Sequence, residues 1–436
     1  MMPADDSNPT TETVWPLPAH VGFRFAFCYL LLYALCCGNA TAWKTLPVIG
    51  DRLELLFWYP FKHAAPWFGR HWFHLTGSTA RLHVGVSNDQ ALTWISVGVM
   101  VVVAVVATVV WSVLDERKAY PQLLLWFRLA LRVCIAASML IYGTLKLFPY
   151  QMTAPSLAVL NEPVGNMSPM TLLWTLLGMH PLYEAICGGL ELLCGVLVLF
   201  RRTALAGALL TIFVMSNVVL YNYFFDVPVK IFSAHLLLMA IIVAMPDFPA
   251  LFGFFIQHKT VAQRAWGPGW SAVGLRRENL VLAAWLLVAI AWRVWILAPR
   301  TVVERANTAH PSPLVGIWRV EGATLPYLTA DGLPMTAMSL EPNGRAMLRA
   351  SDDALWRAVT EYDARQQTLQ VEPIGINEYV RYAITQPDEI HLVLTPVKSY
   401  PSSGFGTLTF VRVPTPKSYP LLERGFHWVN EWGLER

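Results

Sequence analysis

Ionisable and hydroxyl-bearing side chains recur inside apolar stretches of this 436-residue sequence. They can exchange protons or hydrogen-bond a polar ligand, and in hydrocarbon each costs several kcal/mol unless it is paired or hydrated. Two adjacent stretches carry them on single helix faces, at about 100° per residue. The first face is basic and the second acidic, and their residues are Arg128, Arg132, Tyr142 and Lys146, then Glu184 and Glu191. Each residue is therefore a candidate for function.

The polar residues of the later stretches extend this set. With a rise of about 1.5 Å per residue, most of them fall in the outer half of the bilayer, where they could line one pocket. The predicted outer pocket contains Tyr142, Lys146, Glu184, Glu191, Asn217, Tyr221, Asn222, Asp226, Lys230 and His235. We expect Lys146 to pair with Glu184 or Glu191, and Arg132 to pair with Glu191, because an unpaired charged group in hydrocarbon loses its charge. Arg132 is therefore also a candidate pocket residue.

A structural alternative exists for the same residues. Lys146, Asp226 and Lys230 lie near span ends, where long side chains reach back to the interface, and His235 could be a packing residue. The deeper groups could couple helices without any ligand.

Two histidines in a long aromatic and basic loop have spacing that could serve a metal or haem. These are His71 and His74, at i and i+3, with His63 and His83 nearby. No carboxylate or thiol accompanies the pair at a diagnostic spacing. The sequence therefore predicts no metal centre, and His71 with His74 is kept as the alternative ligand pair.

Composition identifies the elements that must position these residues. With 55% hydrophobic and 14% charged residues, the chain is too apolar for a soluble protein. Its net charge of +3 is scattered, which excludes the basic stripe that nucleic acid requires. Blocks of about 18 or more apolar residues predict seven transmembrane helices in the lipid bilayer. They are 21–38, 92–114, 122–147, 182–200, 203–225, 229–246 and 279–298.

Lysine and arginine in short loops predict the orientation of these spans. Arg117, Lys118, Arg201 and Arg202 mark the cytoplasmic side, and the loop 149–181 has no basic residue. We therefore expect residues 1–20 to be a cytoplasmic tail and the C-terminal region to be extracytoplasmic. Two further segments, 55–75 and 169–179, are expected at the interface or, for the second, to re-enter the membrane.

From about residue 310 the periodicity changes to that of antiparallel strands. The predicted strands are 316–321, 336–340, 344–349, 368–372, 378–384, 390–395 and 407–413. Six or seven short strands suit a small barrel or sandwich. The start Gly316-x-Trp318 resembles the opening strand of lipocalin-like barrels.

The middle of the chain resembles the DoxX-like membrane proteins. The resemblance covers about residues 117–250 and rests on Arg132, Tyr142-Gly143-x-x-Lys146 and Gly189-x-Glu191-x-x-x-Gly195. Further runs at 66–71, 226–235 and 424–431 resemble the longer bacterial members of that family. The resemblance implies an inner-membrane location and a four-helix core with Arg132, Tyr142, Gly143, Lys146 and Glu191 as the family residues. The extra spans and the β-domain depart from the minimal pattern.

These observations predict an α-helical polytopic membrane protein with a DoxX-like bundle and a C-terminal antiparallel all-β domain. The predicted parts are a tail (1–20), two helices with their loop (21–116), the bundle (117–256), a loop with the last helix (257–309) and the β-domain (310–436).

Three functions stay open at this point. The resemblance implies a quinone-linked redox accessory module, since the family name derives from a subunit of a thiosulfate:quinone oxidoreductase. Quinone is then the implied cofactor and a redox or other membrane protein the implied partner. The alternatives are a lipid or small-molecule binding or transport module, and a scaffold or assembly factor without catalysis.

Overall fold

The computed structural model describes residues 14–36, 42–80, 89–260, 272–324, 333–374, 378–400, 405–416 and 418–423. The first thirteen residues of the predicted tail, His83 and the run 424–431 lie outside this part of the chain. The helices are α1 (Leu17–Cys36), α2 (Gly50–Trp72), α3 (Ala91–Leu114), α4 (Pro121–Leu147), α5 (Leu157–Leu160), α6 (Pro169–Gly178), α7 (Pro181–Leu199), α8 (Ala204–Phe224), α9 (Lys230–Ala244), α10 (Phe248–Phe255), α11 (Ala272–Ala309) and α12 (Pro420–Glu423).

Among the described residues, seven helices are long and apolar enough to cross a membrane, as predicted. They are α1, α3, α4, α7, α8, α11 and the continuous stretch Lys230–Phe255 that contains α9 and α10. The chain is therefore a multi-pass membrane protein. The segments expected at the interface or re-entering are also helical, since they correspond to α2 and α6.

The helix α3 shows how composition divides a span between protein and lipid. Its buried residues recur every four positions, from Leu92 through Ser96, Met100 and Ala104 to Thr108. Such spacing places them on one stripe of the helix. The valines that fill the rest of α3, such as Val106 and Val113, are exposed. This stripe thus faces the bundle, and branched apolar residues face outward where lipid lies.

The last helix is longer than predicted. The prediction placed it at 279–298, whereas α11 runs over 38 residues from Ala272 to Ala309. Its final turns contain Arg300, Glu304 and Arg305, so a hydropathy criterion ends before the helix does. Those turns are held by polar contacts of the kind that hydropathy does not detect, including a hydrogen bond from Arg345 Nη2 to Glu304 Oε1 at 2.8 Å.

The C-terminal region is a closed antiparallel barrel of eight strands, which confirms the predicted all-β domain. Each strand pairs with the next along the chain, and the first pairs with the last. The strands are β1 (Gly316–Ala323), β2 (Met335–Leu340), β3 (Arg345–Ala350), β4 (Leu355–Asp363), β5 (Thr368–Pro373), β6 (Tyr379–Thr385), β7 (His391–Tyr400) and β8 (Leu408–Val413). The closure leaves no free sheet edge.

The prediction missed one strand, β4. Large apolar side chains do not occupy the buried positions of β4, as they would in a strand with the usual alternation. Val359 is half exposed, whereas its buried neighbour is the small Ala358. Charged Arg357 and Glu361 further weaken the apolar pattern. Pairing with β3 and β5 creates this strand, and that pairing is a long-range property.

The interior of the barrel is filled by side chains. Trp318 is fully buried and donates its indole N–H to the Leu314 carbonyl at 2.7 Å. Arg412 lies over the Trp318 ring at 5.4 Å, and Gly316, at φ +148°, leaves room for that guanidinium. The void inside, lined by residues such as Met338, Tyr382 and Phe410, measures about 10 Å³. A void of that size holds about one water, so the lumen is a packed core.

Contacts divide the chain into two compact units. One comprises the residues through Thr144 with Gly188–Val294, and the other comprises Leu145–Cys187 with Trp295–Arg436. Within the second unit, the barrel is bound to the loop between α4 and α7. Arg349 forms an ion pair with Glu162, and Glu341 accepts the Leu157 N–H with both carboxylate oxygens at 3.0 Å.

This contact tests the number of spans. Four spans, α7, α8, α9–α10 and α11, separate the loop from the barrel along the chain. An even number of crossings returns the chain to the same side of the membrane. The Arg349–Glu162 pair requires that the loop and the barrel share one side. The seven-span topology and the contact are therefore consistent.

Candidate functional site

A hydrogen-bonded histidine lies where α9 packs against α1. The Tyr29 hydroxyl is 2.6 Å from His235 Nε2, and His235 Nδ1 is 2.7 Å from the Ile231 carbonyl oxygen. Because a carbonyl only accepts, Nδ1 carries the hydrogen and donates it. The Nε2 atom of the neutral imidazole then accepts the Tyr29 hydroxyl hydrogen. The bonding pattern thus selects one tautomer.

A second tyrosine holds the imidazole ring in place. The Tyr33 ring stacks on His235 with a centroid distance of 3.7 Å and an angle of 6° between the planes. Tyr29 and Tyr33 are one helical turn apart on α1, and both are buried at 9% and 2% exposure. A neutral histidine with an oriented acceptor nitrogen, bonded to a phenol, is suited to receive a proton from that phenol.

Tyr142 lies beside the same region of α9. Its ring is 5.5 Å from that of Phe232, which precedes His235 by one turn. It is also close enough to the buried Glu191 to interact electrostatically. The structure therefore places Tyr142 beside Phe232 and near Glu191, in the first compact unit, which also contains His235.

Close packing of α4 against α7 depends on glycine. A Cβ atom at Gly143 would lie 2.9 Å from the Gly188 carbonyl oxygen, and one at Gly195 would lie 3.1 Å from Met139 Cβ. Glycine therefore lets the two helix backbones approach, along the stripe of small residues on α7 that contains Gly188 and Gly195. The helix partner of that stripe is α4.

Arg132 stabilises a helix end instead of pairing with Glu191 as expected. Its Nε donates to the Val198 carbonyl at 3.0 Å, and its Nη2 donates to the Leu199 carbonyl, so the guanidinium caps the C-terminus of α7. Its carboxylate neighbour is Glu278, at 3.8 Å, which Arg201 contacts more closely at 3.0 Å. A cation at a helix C-terminus is favoured by the orphan carbonyls and the helix dipole.

Arg128, one turn earlier on α4, acts in the same way on another helix. It donates to the Val243 carbonyl at 2.8 Å, near the end of α9, and lies 3.4 Å from Asp247. The basic face of α4 thus caps two helices.

Glu184 and Lys146 come together in the second compact unit. The Met152 N–H donates to Glu184 Oε1 at 2.8 Å, and Lys146 lies near enough to Glu184 to interact electrostatically. Both side chains are buried, at 1% and 6% exposure. Glu184 Oε2 is also buried and accepts no hydrogen bond from the described residues. The sequence led us to expect that Lys146 pairs with Glu184 or Glu191, and that pairing stays a prediction.

Asp226 and Lys230 belong to a helix start. Lys230 Nζ is 2.6 Å from Asp226 and 3.9 Å from Asp89. Asp89 accepts the backbone N–H groups of Lys230 and Ile231 at 2.7 and 3.1 Å and so caps the N-terminus of α9. These contacts give the two predicted residues a structural role.

Three predicted residues lie on α8. Asn217 is exposed and donates to the Tyr221 hydroxyl at 2.6 Å, one turn further along the same helix. Asn222 is buried. The first pair lies on the outer surface of the helix, away from the buried stripe that contains Asn222.

The histidine pair of the aromatic segment is arranged locally. His71 Nδ1 donates to the Trp67 carbonyl at 2.8 Å, and its ring stacks on Trp67. His74 follows the end of α2 with a left-handed backbone at φ 51°. In the described part of the chain, no group of three or more histidine, cysteine or acidic side chains could hold a metal ion.

Sequence reasoning missed the residues that complete these groups. Tyr29 and Tyr33 lie on α1, outside the region of the family resemblance, and tyrosines near span ends are common interface residues. Their i, i+4 spacing was the available signal. Asp89 lies just before α3 and Glu278 lies near the start of α11, and the sequence held no indication of their partners.

Comparison with known proteins adds one relative. The chain is 30% identical over 136 residues to the uncharacterized protein YwoB of Bacillus subtilis (strain 168), an alignment of 30% of this chain and 88% of that protein. No family model matches the chain, so the DoxX resemblance stays a prediction. No solved structure matches either.

Proposed function

Because the chain belongs to the family of the uncharacterized protein YwoB, which brings no reaction with it, we propose a function from the geometry: a quinone-linked redox accessory module. The observation that supports it is the hydrogen-bonded series Tyr29, His235 and the Ile231 carbonyl. A quinol gives up protons and electrons when it is oxidised to a quinone. A membrane protein that serves it must offer a proton acceptor within the bilayer.

The chain's own residues can move one proton along this series. The Tyr29 hydroxyl hydrogen passes to His235 Nε2, and the phenol oxygen takes a hydrogen from a donor that reaches it. The imidazolium that results keeps its Nδ1–H bond to Ile231. Tyr33 holds the ring plane throughout, so little reorganisation is needed.

In this proposal Tyr142 and Glu191 form the polar neighbourhood of the series. The DoxX resemblance implies that both are family residues. The other family residues that it implies are Arg132, Gly143 and Lys146. Arg132 and Gly143 would then be required for packing, because one caps α7 and the other lets α7 approach. A redox protein partner would exchange the electrons.

We place this module in the bacterial inner membrane. The basic loops at Arg117 and Arg201 would face the cytoplasm, with the barrel and the loop between α4 and α7 on the outer side. This arrangement agrees with the four crossings between that loop and the barrel.

The test uses the full chain in lipid nanodiscs with a short-chain benzoquinone and a short-chain naphthoquinone. A ligand that binds the folded state raises the unfolding temperature in a concentration-dependent way. We expect stabilisation of the wild type that is lost in Tyr29→Phe and in His235→Gln. Asn217→Ala, which removes an exposed amide on α8, is the matched control and should keep the full shift.

Two outcomes would contradict this proposal. If neither quinone stabilises the wild type, or if both variants keep the shift, the pair does not serve a quinone. Mass spectrometry of bound small molecules, beside a Lys146→Ala, Glu191→Ala double variant, then separates the alternatives. A phospholipid lost in that variant indicates a lipid carrier, and identical nonspecific lipid indicates a scaffold.

A further inference from the structure

A groove of about 280 Å³ lies on the outer wall of the barrel, beside α5. It is formed by outward-facing positions of β8, β1, β2 and β3, and Ala158 of α5 contributes to it. Its volume is close to the lower end of small-molecule sites, about 300 Å³. The packed lumen, by contrast, has room for about one water.

Strand register places two kinds of side chain in parallel rows along this groove. Arg319 of β1 pairs with Ala337 of β2, and Ala337 pairs with Arg349 of β3. Two guanidinium-bearing residues therefore flank one small residue, and their backbones are about 10 Å apart across two strand spacings. This first row is cationic, with a gap at its centre.

The second row is apolar. Ile317 of β1 pairs with Val413 of β8 on one side and with Ser339 of β2 on the other, and Ser339 pairs with Met347 of β3. Ser339 is buried, with 2% exposure, and its hydroxyl donates a hydrogen bond to Glu341. It therefore contributes little polar surface. A strip of branched and thioether side chains therefore runs beside the arginines.

The two arginines differ in charge compensation. Arg349 is paired with Glu162 and with Asp353. Arg319 is exposed and forms no ion pair or hydrogen bond with a side chain in the described ranges. The nearest outward acid on its strand, Glu321, lies 4.0 Å from His391. Among the residues that the structure describes, the groove therefore carries one positive charge without a charged partner, beside an apolar strip.

We propose that this groove binds an anion carried on an acyl chain, with the anion at Arg319 over Ala337 and the chain along Ile317, Val413 and Met347. A guanidinium recognises carboxylate and phosphate oxygens with paired hydrogen bonds. The shared chemistry of the ligand is an oxyanion head and an apolar tail. A fatty carboxylate and an anionic phospholipid both provide it.

The experiment uses the full chain in amphipol and measures binding of dodecanoate by isothermal titration calorimetry. Dodecan-1-ol is the uncharged probe of the same length. Arg319→Gln should weaken dodecanoate binding about tenfold or more, because it removes a charge-assisted hydrogen bond. Ala337→Leu, which fills the gap between the arginines, should weaken it as well.

Arg365→Gln is the matched control, since it removes an exposed arginine from the turn after β4 and should leave the affinity unchanged. A parallel measurement with phosphatidylglycerol distinguishes the two ligand sources. The preferred ligand class is the one that binds the wild type more tightly and loses affinity in Arg319→Gln. Equal binding of dodecan-1-ol and dodecanoate would overturn the proposal. So would unchanged binding of both anions in Arg319→Gln, or no binding of either by the wild type. None of these results depends on the quinone proposal.

Discussion

Arg132 offers the sharpest test of whether a buried charge in a span serves chemistry or architecture. Its guanidinium gives two hydrogen bonds to the last carbonyls of α7, the bond from Nε to Val198 being 3.0 Å long. Interhelical hydrogen bonds in membranes contribute about 0.6 kcal/mol on average and up to about 1.7 kcal/mol. Bonds from a charged donor contribute about 1.5 to 3 kcal/mol. Two such bonds at a helix end should therefore stabilise the fold by about 3 kcal/mol.

The perturbation is Arg132→Gln, and the assay is equilibrium unfolding in mixed micelles. We expect the free energy of unfolding to fall by about 3 kcal/mol, because Val198 and Leu199 lose their donors. Arg132→Lys should lie between this variant and the wild type, since an ammonium cannot reproduce the fork of a guanidinium. Arg202→Gln, at an exposed neighbouring arginine, should change stability by less than about 0.5 kcal/mol.

A double-variant cycle with Glu278→Gln separates capping from ion pairing. Arg132 lies 3.8 Å from Glu278, whereas Arg201 lies 3.0 Å from the same carboxylate. We therefore expect a coupling energy between Arg132 and Glu278 of less than about 1 kcal/mol. The capping account fails if Arg132→Gln costs less than about 1 kcal/mol, or if nearly all of its cost disappears in the Glu278→Gln background.

Two further predictions concern packing and pH. Gly143→Ala should destabilise the protein by about 1 to 3 kcal/mol, because its Cβ would meet the Gly188 carbonyl oxygen at 2.9 Å. Gly189→Ala is the control: its Cβ would have nothing within 4 Å, so it should be neutral or stabilising in the same unfolding assay. In the barrel, the hydrogen bond from His391 to Asp388 raises the pKa of the His391 imidazole above its ordinary value. While Asp388 stays ionised, the contribution of the His391 proton to stability should therefore be complete below about pH 6.5 and be lost as the pH rises through the folded-state pKa. NMR titration of the histidine-labelled protein, with His391→Gln for assignment, should show this pKa falling in Asp388→Asn, and a wild-type pKa at or below the ordinary value would contradict the account.

The sequence predicted the spans well because a membrane helix is defined by its own composition. All seven appear, and the two segments expected at the interface, α2 and α6, are helices as well. The predicted secondary structure was wrong where contacts with other elements determine it. The strand β4 is defined by pairing with β3 and β5, and the end of α11 is held by Arg345 and other polar contacts.

The candidate site was predicted in part for the same reason. Helical periodicity found the faces of α4 and α7, and the structure buries Glu184 and Lys146 within one compact unit. Periodicity could not tell which helix end lies beside Arg132, nor that α1 supplies Tyr29 to His235. Those facts depend on how helices distant in sequence pack, and local sequence patterns do not encode that packing.

The ion pair between Glu162 and Arg349 also constrains how the chain can mature. Glu162 is synthesised 187 residues before Arg349, and four spans must be inserted between them. Domains generally fold as they emerge, with N-terminal parts first. The barrel can therefore dock on its loop only after every later helix has been threaded in the correct direction. A nascent chain that skipped one span would deliver its barrel to the opposite compartment, with Glu162 and Leu157 left without their partners. Docking of the barrel on this loop is therefore possible only in a chain whose insertion is complete.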